Sequence, residues 1–543
     1  MLSEANMKCA LVTMTFFIFM SLLQGSILSQ ETHQEVADEV PDISLFFQVM
    51  LANPEEAEVA LEKISKNWKN GYASMLIELI FQMNPAGGRM LTPGGNVATT
   101  RKASLTWIDS SASAELGAND LVFPNSALSQ RRVNSKGFSP QDSLFDENAM
   151  VRRRLLSFVQ EQTGQNFLYD LGRWQQWIWN NPYDPHPDYH TFKGRVLGLT
   201  DSRLDAFFLD DAPSQVRLDQ IEWAFGGLNS IPPLDKPTIV NAKEAKYLKN
   251  DNKVFGIVIN NEARAYPQRV LAWHEIVHDK IGGVDITMTY CTLTGTPIPY
   301  GSEVGGKIRT FGSSGLVYQS NKLMFDLESL TLWTTMDGKP VLGELAADSD
   351  MELKAYPVVT TTWKEWRELH PNTTVLSQQT GHTRDYSEGA FYRQWASDDR
   401  PLFAVTSTDD RLQPTAEILA VRLTPEDPTN TDRLPVAISE AFLEKHRLHQ
   451  FKVAGRRFVV VTSQKGAHRV YEAGTIQFTR ERKGEILEDV TGNRWRITED
   501  ALVGTGASKA ILLRVPSHRA FWFGWYTRFP DTLLLHGAYQ QPY

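Results

Sequence analysis

Residues 272–297 read "AWHEIVHDKIGGVDITMTYCTLTGTP", and two chemistries compete within them. His-Glu-x-x-His at 274–278 is the zinc signature of the metallopeptidases called zincins, and Cys291 follows 13 residues after His278. The pattern predicts a helix over residues 268–280, started by Pro267 and stopped by Gly282-Gly283. On such a helix His274 and His278 share a face, and Glu275 can act as general base toward a metal-bound water. Several features count against zinc. Asp279 and Lys280 follow the second His directly, and Ile281 and Val284 stand where the longer metzincin pattern needs Gly and His. Glu303 and Glu328, the remaining acidic candidates for a third ligand, fall in loop-like or strand-like sequence. The ordinary alternative is a surface helix whose His and Glu meet water.

Cys291 is the stronger candidate. "VDITMTYC" alternates like a half-buried strand, and the cysteine at its end opens onto "TLTGTP", a turn with free backbone N–H groups. Those donors, or an imidazolium from His274 or His278, can stabilise a thiolate there. The chain has two cysteines. Cys9 precedes an uncharged run, residues 9–28, which follows Lys8 and ends in small residues before Glu31. We read residues 1–29 as a secretory signal peptide or an uncleaved N-terminal anchor, hence an exported protein, periplasmic or extracellular, touching a membrane only there. Cleavage leaves Cys291 alone, so it is inert in a core, paired with another molecule, or reactive.

The 543 residues carry 55 Lys+Arg against 64 Asp+Glu, a net charge of −9, with 42% hydrophobic residues. That supports several globular domains. No run of five or six basic residues offers a footprint for nucleic acid. The sequence leaves cofactor and partner unknown: "RTFGSSGLVYQSN" at 309–321 lacks the phosphate-loop spacing, and its glycines suit a hairpin turn or the lining of a site, with Ser313, Ser314 and Asn321 as candidates.

Residues 30–84 show helical periodicity broken at Asn53-Pro54. Residues 85–145 are rich in Gly, Ser, Thr, Asn and Pro and suggest a linker or insertion, and helical pattern resumes over 146–222. Thereafter short strands dominate, and an internal repeat emerges. Trp363 and Trp522, Trp366 and Trp525, Pro371 and Pro530, and Thr373 and Thr532 are each 159 apart, and "DLESLTLW" is echoed by "EDVTGNRW" at an offset of 162. The fold class expected is α+β: a helical N-terminal region, then a duplicated strand/helix domain with units at 223–400 and 401–543. The Trp-rich segments should be core strands. The second unit has Ser463 near the cysteine position and no His-Glu-x-x-His, so any chemistry should lie in the first.

The series "VFGIVINNEARAYP", "WHEIVHD", "YCTLTGT", "FGSSGLVYQSN", "SLTLW" and "FWFGWYTRFPDT" resembles a family of exported, mainly bacterial proteins catalogued as a domain of unknown function, number three-one-seven-nine. The resemblance runs from about residue 157 to the C-terminus and implies no established activity. In that family the helix usually carries Asn where His278 stands, which lowers the zinc reading further. The family's cysteine motif usually has Pro at Thr292 and sometimes a second Cys at Thr294, so this chain has no dithiol couple. The site expected from the sequence therefore centres on Cys291, His274 and Glu275, lined by Thr294, Gly295, Arg264, Ser313, Ser314 and Asn321. A nucleophilic or soft-metal-binding thiol, a zinc hydrolase and a non-catalytic binding scaffold all remain open.

Overall fold

Asn260 and Asn261 take φ values of 48° and 65°, the left-handed pair that a two-residue hairpin turn needs. They join strands Lys253–Ile259 and Glu262–Pro267, the two alternating halves of "KVFGIVINNEARAYP". The computed structural model describes residues 40–50, 53–83, 147–392, 401–426, 432–482, 486–506 and 509–537. The export segment expected at 1–29 and the linker expected at 85–145 lie outside the described residues. Among the described residues no helix is long and apolar enough to cross a membrane.

Two units make up the chain, Met1–Lys69 and Asn70–Tyr543. In the first, helix Pro54–Lys66 packs on Ile43–Gln48. Asn53 caps it by accepting from the Glu55 N–H at 3.1 Å, and Pro54 needs no such partner. The second unit opens with helix Tyr72–Gln82, apolar almost all round, which packs against helices Glu147–Thr163, Leu171–Asn180 and Tyr189–Gly198.

Two small sheets follow with the same plan. In one the order is Val359–Thr362, Lys253–Ile259, Glu262–Pro267, Thr374–Leu376 and Ile239–Asn241, with Thr374–Leu376 parallel to Glu262–Pro267 and the other pairs antiparallel. In the other the order is Ser517–Phe521, Glu417–Leu423, Leu434–Ser439 and Leu533–Leu535, and there too the third pair alone, Leu434–Ser439 with Leu533–Leu535, is parallel. A short helix makes the crossover each time, Trp363–Leu369 and Trp522–Arg528. The repeated tryptophans therefore sit on helices, not strands, because one turn of helix brings both rings of each Trp-x-x-Trp onto the sheet. All four are buried to within 1%. Trp366 Nε1 donates to Thr373 Oγ1 at 2.9 Å and Trp525 Nε1 to Thr532 Oγ1 at 2.8 Å. Trp366 presses so closely on Gly256 that a Cβ there would meet its ring at 2.3 Å. The second echo behaves alike: Trp333 Nε1 donates to Asp326 Oδ2 at 3.1 Å, and Trp495 Nε1 to Asp489 Oδ2 at 3.0 Å.

Between these sheets the chain builds others. Leu234–Asp235, Ile276–Ile281, Val284–Cys291 and Thr296–Gly301 form one, and Phe311–Tyr318 pairs with Asn321–Asp326 in a second. The later half makes an eight-stranded sheet. Ser314, Gly315 and Leu316 form a bulge in strand Phe311–Tyr318 instead of a turn, just past the pair Ser313–Met324, and the hairpin closes at Gln319-Ser320, whose φ values are 49° and 65°.

Candidate functional site

The helix expected over 268–280 stops at His274. Glu275 N–H bonds back to Leu271 O at 2.6 Å, and Glu275 itself turns to φ 61°, ψ −29°, in the left-handed region. The chain leaves as strand Ile276–Ile281, which pairs antiparallel with Val284–Cys291 through a turn at Gly282-Gly283 with φ values of 53° and 82°. The β-branched Ile276-Val277 pair and a Gly-Gly turn favour a hairpin over further helix. A non-glycine residue held left-handed costs about 1–3 kcal/mol, which the surrounding hairpin sustains.

This corrects the zinc geometry. His274 is on a helix and His278 on a strand, so they share no helix face. His274 is fully buried, with Nδ1 2.8 Å from Pro232 O and Nε2 2.5 Å from Tyr386 OH, and burial pushes its imidazolium down to about 4. His278 Nε2 accepts from the Phe311 N–H at 3.0 Å, which leaves Nδ1 to donate to Asp235 at 2.6 Å. Among the described residues no group of three His, Cys, Asp or Glu is placed to hold a metal ion.

Cys291 ends its strand as predicted, opposite Thr296, and its free thiol is 1% exposed. Neither imidazole serves it, since His274 is neutral and both rings are held elsewhere. The cation nearby is one the sequence reading missed. Lys322, on strand Asn321–Asp326, forms an ion pair with Glu275 and donates to Thr292 Oγ1 at 3.1 Å, one residue past the cysteine. The two side chains are only 14% and 5% exposed. Burial pushes the Lys322 ammonium down to about 7, while the Glu275 carboxylate against it works the other way. Backbone contacts tie the cluster together: Tyr290 N–H donates to Glu275 O at 2.7 Å.

A family model described as "Protein of unknown function (DUF3179)" matches residues 228–532, more than half of the chain. The chain belongs to this family. A search of the curated proteins and of the solved structures found no match.

Within the DUF3179 domain the expected lining residues fall into three places. Thr294 and Asn321 join the cluster: Thr294 Oγ1 lies 2.8 Å from Thr296 Oγ1 and accepts from Asn321 Nδ2 at 3.3 Å, and Asn321 Oδ1 accepts from Thr335 Oγ1 at 3.1 Å. Gly295, at φ 66°, turns the chain, and the later half covers it: the Phe521 N–H donates to Thr294 O at 2.8 Å, and a Cβ on Gly524 would lie 2.5 Å from Thr294 Cγ2. Ser313 and Ser314 shape the bulge, the former through its N–H to Asn229 Oδ1 at 3.0 Å and the latter through its hydroxyl to Leu323 O at 2.7 Å. Arg264 lies apart. It donates to Asp279, Glu262 and Thr374, and Asp279 pairs with Ile286, five residues or roughly 16 Å along the strand from Cys291. The signal that could have revealed Lys322 is a lone lysine in "NKLMFD", directly after a hairpin turn in otherwise apolar sequence.

Proposed function

We propose that this is an exported DUF3179 protein whose first α+β unit carries a reactive thiol site, with Cys291 as nucleophile and the Glu275–Lys322 pair as proton acceptor and donor. The second unit, a duplicated copy of the first, closes the site. The observation that carries this reading is Glu275: a carboxylate buried, strained into the left-handed region and matched by a buried lysine beside the thiol's own strand end. Strained backbone and desolvated charge in one place are expensive for stability, and they concentrate where a site is preorganised. Here the thiol proton passes to the pair while sulfur adds to a carbonyl carbon of the substrate, whose C=O π electrons move onto its oxygen and take up a proton from the pair.

A second reading, a non-catalytic binding scaffold, is favoured by the near-complete burial of Cys291 and by the cover over Thr294. Alkylation of the folded full chain by iodoacetamide at pH 7 separates the two. A reactive site gives a rate at least equal to that of the unfolded chain, and roughly tenfold slower reaction in Lys322→Met. A thiol that reacts only after unfolding leaves the scaffold.

A further inference from the structure

A second polar site, whose polar residues all precede the DUF3179 match, lies in residues the thiol chemistry does not use. Helices Tyr72–Gln82, Leu171–Asn180 and Tyr189–Gly198 meet strand Ile221–Trp223 around a cavity of about 60 Å³. Glu78, Gln175, Lys193, Asp219, Glu222 and Trp223 line it. At roughly 10–15 Å³ for each water-sized centre, it holds about four to six such volumes.

Its hydrogen bonding is incomplete on one side only. Lys193 Nζ and Tyr189 OH both donate to Glu78 Oε1, at 2.6 and 2.5 Å, and leave Glu78 Oε2 buried with no partner. Gln175 is 7% exposed, and its Nε2 donates to Glu222 Oε2 at 2.8 Å. A carboxylate accepts only, so the amide orientation is settled and Gln175 Oε1 is left buried without a donor. Both orphaned atoms of these side chains are acceptors. Burial, with Asp219 adding to it, pushes the Glu78 carboxyl up even though Lys193 opposes the shift. A cation inside the cavity would relieve that. A bare metal ion is a poor fit, since no three carboxylate, thiol or imidazole groups converge among the described residues. Trp223 and Phe403 supply an apolar wall suited to a short alkyl chain.

We infer that this cavity binds a small organic ammonium of about four to six non-hydrogen atoms, with its N–H groups donating to Glu78 Oε2 and Gln175 Oε1. The site belongs to the helical region and does not depend on the thiol reading.

The test uses the full chain and two probes of equal size, n-butylammonium chloride and n-butanol, followed by saturation-transfer NMR. Saturable binding of butylammonium in the millimolar range is expected, with at least tenfold weaker binding of butanol and at least tenfold loss in Glu78→Gln. Failure of wild type to bind butylammonium saturably overturns the proposal, as does equal binding of the two probes. Undiminished binding in a folded Glu78→Gln also overturns it. If that variant does not fold, the comparison of the two probes on wild type still decides.

Discussion

The two sheets built around Trp363–Leu369 and Trp522–Arg528 share strand order, pairing sense and the indole-to-threonine hydrogen bond, yet the helices that precede their hairpins end differently. Helix Gln268–His274 ends on a buried glutamate forced left-handed, whereas helix Glu440–Lys445 ends on His446 at an ordinary φ of −120°. Counted eight residues on from the hairpin glycines Gly283 and Gly455, one unit presents Cys291 and the other Ser463. The sheet plan is common to both; the left-handed glutamate paired with Lys322 beside a thiol belongs to the first, while the later half buries its own ion pairs, Glu499 with Arg469 and Arg514, away from any cysteine. What the two do not share is where we propose the site.

The largest expected effects test the shared part. Trp366→Ala and Trp525→Ala should each destabilise by about 3–5 kcal/mol in denaturant titrations, since each empties a fully buried ring position and removes the indole's hydrogen bond to a threonine. A cost in one unit only would break the equivalence. Lys322→Met sharpens the contrast: it leaves Glu275 buried and unpaired, which costs about 3–5 kcal/mol, and the added change Glu275→Gln should recover part of it in a double-mutant cycle.

His274 gives a pH signature. Its folded value, about 4, lies below the ordinary value near 6.5, so on acidification the unfolded chain takes up the proton first. Its contribution is complete above about pH 6.5 and is lost as pH falls through 4, a change of about 3 kcal/mol that stability measured against pH should show and His274→Gln should remove. The smallest effect concerns the contact of Gly524 with Thr294. Gly524→Ala should cost about 1–3 kcal/mol by driving a methyl into Thr294, and Thr294→Ser, which removes the Cγ2 but keeps the Cβ 2.9 Å away, should restore only part of the loss in thermal melts.

The hairpins were legible because Asn260-Asn261 and the alternation of "VDITMTYC" are local signals. The tryptophan spacing was legible in sequence, and two of its pairs have like partners: Trp366 and Trp525 each donate to a threonine, and Trp333 and Trp495 each to an aspartate. The end of the helix at His274 was not, since "WHEIVH" satisfies a helical period as well as a strand and only the sheet beneath selects between them. Lys322 was missed for a related reason: it meets Glu275 across 47 residues, a pairing that sheet topology creates and sequence spacing does not encode. Arg264 shows the reverse, a buried arginine that looks like a site residue but spends its donors tying two sheets together.

The most direct test places the same thiol in both units. Iodoacetamide rates at pH 7 would be measured for wild type and for a Cys291→Ser, Ser463→Cys chain, each folded and unfolded. The account predicts that Cys291, although the more buried, reacts in the folded protein at least as fast as when unfolded, while the thiol at 463 gains nothing from folding. A silent Cys291 beside a reactive thiol at 463 would contradict it.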